Sequence, residues 1–205
     1  IAEIILDSPT LGATRRVEFA GIIIKESERL TRLINQVLDF QKLESGRMEW
    51  QIAKVDFASV VRQAVSGINQ LIQNKRIQIK LDIPENVPII DGDQDRLVQV
   101  MINLVANAVN FCPPDSGRID ILIRVQPENI QIDVKDNGPG ITSEEQQVVF
   151  ERFRQVAFTG KGRPSGSGLG LSITKHIIEH HGGKIWVNSK PDEGTTFSFT
   201  LPLST

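Results

Sequence analysis

Two glycine-rich stretches carry the groups best suited to chemistry. Asp136-Asn137-Gly138-Pro139-Gly140-Ile141 sets a carboxylate directly before a glycine turn. Gly166-Ser167-Gly168-Leu169-Gly170-Leu171 runs straight into an apolar-periodic segment, Leu169 to Ile178. Asp136 is placed to accept a hydrogen bond from an amino group, and the glycines after it let backbone approach a ligand closely. A glycine loop that opens a helix offers bare N–H groups and a positive dipole end to an anion such as phosphate. One loop suits a base and the other suits phosphates, so together they point to a nucleotide. A third group is Asn103, Asn107 and Asn110, spaced four and three apart and therefore on one face of a helix. Asparagine is a poor helix former, and three on one face need partners. Those partners are either neighbouring loops or a hard cation such as Mg²⁺, which prefers oxygen and would be held mainly by phosphates and water.

The elements that must position these groups follow from periodicity. Ile130 to Lys135 alternates apolar and polar and reads as a strand with one buried face, so Asp136 stands at a strand end. Ile119 to Val125 is its hairpin partner across Pro127-Glu128-Asn129. Asp93 to Phe111 is a strongly apolar helix that Pro113-Pro114 stops. Further helices are expected over Phe57 to Ile72, capped by Asp56, and over Ser143 to Phe153. Further strands are expected at 50–54, Ile77 to Leu81, Lys184 to Ser189 and Thr195 to Leu201. Strands and helices mix without regular alternation, which predicts an α+β arrangement with a mixed sheet. Near the N-terminus, Thr14 to Ser45 reads as a long helix with Leu30, Leu33, Ile34, Val37 and Leu38 on one stripe. That stripe needs a partner: residues 1–7 doubling back through Ser8-Pro9-Thr10-Leu11-Gly12, a second copy of the chain, or the chain's own domain. The boundary between this appendage and the main domain is expected near 45–50.

Composition narrows the class. The 205 residues are 40% hydrophobic with mixed charge signs and a formal net charge of -2, which argues against nucleic acid as the main partner. The single cysteine, Cys112, excludes an internal disulfide and fits a reducing compartment. No run approaches the ~18 apolar residues of a membrane span, and no charged-then-apolar leader is seen, so any membrane segment is expected outside this chain and a cytoplasmic location within it.

At this point the residues resemble a known family. Asn103-x-x-x-Asn107, Asp136-x-Gly138-x-Gly140, Phe150-Glu151-Arg152-Phe153 and Gly166-x-Gly168-Leu169-Gly170-Leu171 resemble, in order, the N, G1, F and G2 boxes of bacterial sensor histidine kinases. Gly194-Thr195-Thr196-Phe197 with Leu201-Pro202 is similar to the family's closing strand, and Leu30 to Met48 to the second helix of its dimerisation and phosphotransfer hairpin. The resemblance implies a GHKL-type (Bergerat) ATP-binding sandwich, shared with gyrase, heat-shock-90 and mismatch-repair ATPases, over residues 49–205. A partial helical hairpin over 1–48 would precede it. It implies ATP and Mg²⁺ as ligands, a homodimer through the hairpin and a response-regulator receiver domain as partner. Asp136 is implied to bind the adenine amino group, with Gly138, Gly140, Ile141 and Thr195 shaping the pocket. Asn107 is implied as the Mg²⁺ ligand, with Asn103, Asn110 and Phe111 beside the nucleotide. Gly166, Ser167, Gly168, Leu169, Gly170 and Leu171 would border the phosphates. Residues 154–167 match the family's ATP lid, expected to be mobile without nucleotide. Catalytic roles fall to Asn103, Asn107 and Arg154.

The chain departs from the family pattern at several points. Asn110 stands where the family usually has Lys, and Gln155 where it often has Arg; Arg154, Lys161 or Arg163 would supply the charge instead. The phosphoacceptor histidine box is absent and is expected upstream of Ile1. His176, His180 and His181 belong to the helix and turn after the G2 box, and His181-Gly182-Gly183 is similar to the family pattern; His176 and His180, four apart, show no third ligand and read as surface or helix-end residues. Cys112 reads as a packing residue. Two other functions fit the same boxes: a related ATPase, which would need a Glu base where Asn103 stands, and a nucleotide-binding regulatory or scaffold module without transfer activity.

Overall fold

The long amphipathic stretch forms one helix, α1 (Ala13–Glu44), of 32 residues, about 48 Å at 1.5 Å per residue. It ends in a Schellman motif: Gly46 takes a φ of +64°, Gly46 N–H donates to Leu43 O and Arg47 N–H to Lys42 O. In the single chain Leu30, Ile34, Val37 and Leu38 remain 43–58% exposed. The computed structural model describes residues 12–154 and 168–204, so the turn and first hairpin helix expected over residues 1–11 lie outside it. The chain divides into two units, Ile1–Met48 and Glu49–Thr205. Among the described residues no helix is long and apolar enough to cross a membrane.

The second unit runs β1 (Ile52–Val55), α2 (Phe57–Gly67), α3 (Asn69–Lys75), β2 (Gln78–Asp82), β3 (Ile90–Asp93), α4 (Gln94–Phe111), β4 (Arg118–Val125), β5 (Asn129–Asp136), α5 (Ser143–Val148), α6 (Gly170–His180), β6 (Ile185–Lys190) and β7 (Gly194–Pro202). The five-stranded sheet has the order β2-β4-β5-β7-β6. Only β2 and β4 are parallel in it, so the sheet is mixed, as expected. A second, two-stranded ladder pairs β1 with β3.

Two expected elements differ. The single helix expected over Phe57 to Ile72 is broken at Ile68, where φ is -114° and ψ 13°. Gly67 before it carries no side chain to hold the helix, so the chain restarts as α3. The helix expected to reach Phe153 stops at Val148. Its cap is Thr142, which forms a capping box with Glu145.

One face of the sheet is apolar. Ile119, Ile121 and Ile123 of β4, Ile130, Ile132 and Val134 of β5, and Phe197, Phe199 and Leu201 of β7 are buried. Helix α4 lies on this face between α2 and α6. It buries Leu97, Val100, Met101, Leu104, Val105 and Val109, each worth ~1.5–3 kcal/mol on full burial. Phe57 meets Phe199 edge to face with centroids 6.0 Å apart. The alternate residues form the opposite, polar face, which carries an open groove of about 440 Å³ lined by Lys80, Asp120, Asp133, Lys135, Trp186 and Ser198. On that face Asp133 is buried beneath Arg124 and accepts hydrogen bonds from Arg124 and Gln131.

Candidate nucleotide-binding site

Period-two alternation decides where Asp136 points. Ile130, Ile132 and Val134 face the helices, and Asp136 is next on the same face. Register places it beside Ile119 of β4 and Thr195 of β7, with Ser189 of β6 beyond. A carboxylate therefore closes a row that is otherwise core. It is only 5% exposed. Its Oδ1 accepts the backbone N–H of Gly138 at 2.8 Å and of Thr195 at 3.3 Å. Its Oδ2 takes no hydrogen bond from the described residues. Burial pushes the carboxyl above its ordinary value, and the two backbone hydrogen bonds oppose that rise. One oxygen is thus fixed by the fold and the other is open to a ligand donor.

The turn after Asp136 needs its glycines. A Cβ on Gly140, at φ +71°, would lie 2.0 Å from Lys190 O. A Cβ on Gly138 would lie 2.8 Å from Asp136 Oδ1 and 3.2 Å from Phe111 O. Ile141 is buried, and its N–H donates to Ser189 Oγ at 2.9 Å. Gln146 Nε2 donates to both Ile141 O and Ser189 O, fastening the turn to β6. Ser189 Oγ also lies 3.0 Å from Thr195 Oγ1.

Helix α4 supplies the three asparagines. Asn103 Nδ2 lies 3.4 Å from both Gly170 O and Thr174 Oγ1, which links α4 to the first turn of α6. Asn107, one turn on and half-buried, has no side-chain hydrogen bond among the described residues. Its carboxamide oxygen, with Oδ1 of Asn103 nearby on the same face, is a hard donor set that fits Mg²⁺. Asn110 and Phe111 are exposed at the helix end. Helices α2, α4 and α5 are each capped by a side chain, but α6 begins at Gly170 after Leu169 with no side-chain cap. Its first-turn N–H groups and dipole suit an anion. Leu169 itself is buried and Leu171 half-buried.

Gly168, at φ +72°, accepts the N–H of Phe153 at 3.0 Å, and a Cβ there would lie 2.7 Å from Phe153 C. Arg154 is exposed and pairs with Glu151 at 3.2 Å. Of the lid expected over 154–167, residues 155–167, with Gly166 and Ser167 among them, lie outside the described residues. Four residues of this site carried no local signal in the sequence. Ser189 and Gln146 brace Ile141. Lys75 donates from Nζ to Val109 O at 2.8 Å and Asn110 O at 2.7 Å, closing the C-terminus of α4; burial lowers its pKa. Asn137 is the fourth. His181, the C-cap of α6, is buried, and its Nε2 accepts the N–H of Asp93 at 2.9 Å.

An inward carboxylate at a strand end, asparagines on the covering helix and an uncapped helix start beside them are the arrangement expected of a GHKL-type ATP-binding domain. Residues 92–205 match the family described as "Histidine kinase-, DNA gyrase B-, and HSP90-like ATPase", and the chain belongs to that family. It is 33% identical over 207 residues to the adaptive-response sensory kinase SasA of Parasynechococcus marenigrum, covering 98% of this chain and 52% of that protein. It is 36% identical over 202 residues to the sensor-like histidine kinase SenX3 of Mycobacterium bovis, covering 98% and 48%. The chain thus spans about half the length of these curated relatives. Among solved structures, full-length ShkA in complex with AMPPNP superposes with a TM-score of 0.80 at 27% identity, covering 98% of this chain and 41% of that one.

Proposed function

We propose that this chain is the ATP-binding kinase core of a two-component sensor histidine kinase, acting in the cytoplasm. It would hold Mg²⁺-ATP and donate the γ-phosphate to a histidine on a dimerisation hairpin, for relay to an aspartate of a response regulator. Residues 49–205 are assigned as the catalytic domain and 1–48 as part of the hairpin. The observation that carries this reading is the opposition of Asp136 Oδ2, open to a donor, and the uncapped start of α6, open to an anion, across a helix bearing Asn103 and Asn107. The sensory-kinase relatives and the AMPPNP-bound ShkA structure support it.

In this reading Asp136 accepts from the adenine amino group, with Thr195 and Ile141 against the base. Gly168, Gly170 and the first turn of α6 bind phosphate through backbone N–H groups. Mg²⁺, when bound, neutralises phosphate charge, and Asn107 would hold it with Asn103 beside it. Phosphoryl transfer is mostly positioning and charge stabilisation. Asn103 cannot act as a general base, and its amide hydrogen is directed at Gly170 O and Thr174 Oγ1. Hydrolysis should therefore be slow, and the phosphate is kept for a protein acceptor. Arg154 is assigned to the transferred phosphate.

The test is incubation with radiolabelled ATP, with and without a separate histidine-bearing hairpin. The expected label is acid-labile, base-stable and confined to the supplied hairpin. Stoichiometric label on His176, His180 or His181 would overturn the assignment, as would ATP binding without transfer to a series of such hairpins.

A further inference from the structure

Asn137 is exposed, yet both ends of its amide are committed to a single loop. Oδ1 accepts the backbone N–H of Arg118 at 2.7 Å, and Nδ2 donates to Ser116 O at 3.0 Å. The backbone N–H of Asn137 donates in turn to Arg118 O at 3.2 Å. Residue 137 thus captures both polar groups of Arg118, one with its backbone and one with its side chain, and extends the β4–β5 ladder one step past the Ile119–Asp136 pair. The thiol of Cys112, the residue that ends α4, lies 3.5 Å from the same Oδ1. Asn137 therefore ties the strand end bearing Asp136 to the loop that follows the asparagine-bearing helix.

We propose that Asn137 is a positioning residue for adenine specificity: it fixes the end of β5 so that Asp136 Oδ2 meets the amino group of the base. This rests on the proposed nucleotide-binding function and adds a residue to it. The physical reason is the neighbourhood of Asp136. Its Oδ1 is held by Gly138 and Thr195, but Gly138 is itself wedged between that oxygen and Phe111 O. A shift of the 112–118 loop moves Phe111 and Gly138 together and turns the carboxylate. Among the described residues no hydrogen bond joins Asn137 to α6, so phosphate binding should be left alone.

The experiment compares ADP with IDP, in which a carbonyl oxygen replaces the amino group, by calorimetry on the full chain. The parent should prefer ADP by about tenfold or more, the range of a hydrogen bond to a charged group. Asn137→Ala should cut that preference to about twofold by weakening ADP while leaving IDP within about twofold, on the same scale. Asn137→Asp, which keeps the acceptor for Arg118 and Cys112, should retain an intermediate preference. The rate at which Cys112 reacts with a disulfide reagent should rise in the Ala variant. Equal weakening of ADP and IDP would show general loosening and overturn the inference, as would an unchanged preference in either variant. If the Ala variant does not fold, the Asp variant decides alone. A parent chain that binds neither nucleotide would overturn the proposed function and this inference with it, whereas a parent that prefers ADP and variants that prefer it as strongly would overturn the inference only.

Discussion

Trp50 and His180 stack face to face, with ring centroids 3.7 Å apart and planes 10° from parallel. His181 meets the same indole edge-on at 5.6 Å. Gln51, next in the chain, donates its N–H to Asp93 Oδ2 at 3.0 Å. The first residues of the second unit are thereby pinned to the ends of α6 and β3. Burial under the indole lowers the His180 pKa from 6.5, with the nearby His181 and His176 adding to the shift. A cation–π attraction to Trp50 would act the other way. The predicted winner is burial. Because the folded value is depressed, the contribution of His180 to stability is present above about 6.5 and is lost as pH falls through the folded value. NMR titration should place His180 below the ordinary histidine value, and Trp50→Ala should bring it back up. A downward move in that variant would mean the indole favours the charged ring.

Asp136 makes the opposite trade. Its carboxyl is pushed up by burial, so the folded state holds the proton more tightly than the unfolded chain. Stability then falls as pH rises from the ordinary value of 3.8 through the folded value, and the free domain carries that cost at neutral pH. Asp136→Asn keeps an oxygen for Gly138 and Thr195 but presents NH₂ to the base. The variant should melt higher than the parent when ligand-free, and bind ADP about 1–3 kcal/mol more weakly. Equal ADP affinity in calorimetry would remove Asp136 from the pocket.

The alternation along β5 and the stripe along α4 made both halves of this site legible in the sequence, because each depends only on local period. The break at Ile68 was not legible: the apolar positions continue through it, and only the loss of a side chain at Gly67 hints at it. Strand β3 was missed because Ile90-Asp91-Gly92-Asp93 has poor strand propensity and is held by pairing with the distant β1. Ser189, Gln146, Lys75 and Asn137 act through partners 5–48 residues away, which no spacing rule reaches.

Asn107 is predicted to act through the metal. Its carboxamide has no hydrogen bond to lose among the described residues, so Asn107→Ala should fold as the parent does. ADP affinity in chelator should be unchanged, while the gain on adding Mg²⁺ should shrink. If Mg²⁺ strengthens nucleotide binding equally in both proteins, Asn107 is not the ligand.

Two glycine substitutions should have opposite signs. Gly140→Ala puts a Cβ 2.0 Å from Lys190 O at a φ of +71°. Displaced backbone and left-handed strain together should cost about 2–5 kcal/mol. Gly67→Ala meets only Ile102 Cδ1, at 3.9 Å, and should stabilise by about 0.4–1 kcal/mol. Denaturant titration gives both values. A Gly140→Ala protein as stable as the parent would mean the turn and β6 are free to part.

The last prediction concerns α1. Leu30, Ile34, Val37 and Leu38 fall at i, i+4, i+7 and i+8, one continuous stripe, and Ile34 is 57% exposed in the single chain. Their removal from water would contribute ~1.5–3 kcal/mol for each side chain fully buried. Four such side chains from each of two copies provide enough to offset the entropy of association, so the chain is predicted to form a homodimer through residues 1–45. A packed seam of this kind tolerates no unpaired charge. Ile34→Glu would bury one on each side of a twofold axis, next to its own symmetry mate, where desolvation and repulsion add. The variant should therefore be monomeric, and it should bind ADP as the parent does. Sedimentation at tens of micromolar is a sufficient test, since a dimer of about 1 μM affinity, near -8 kcal/mol, is mostly assembled there. A monomeric parent at that concentration would reject the dimer and leave the nucleotide site standing.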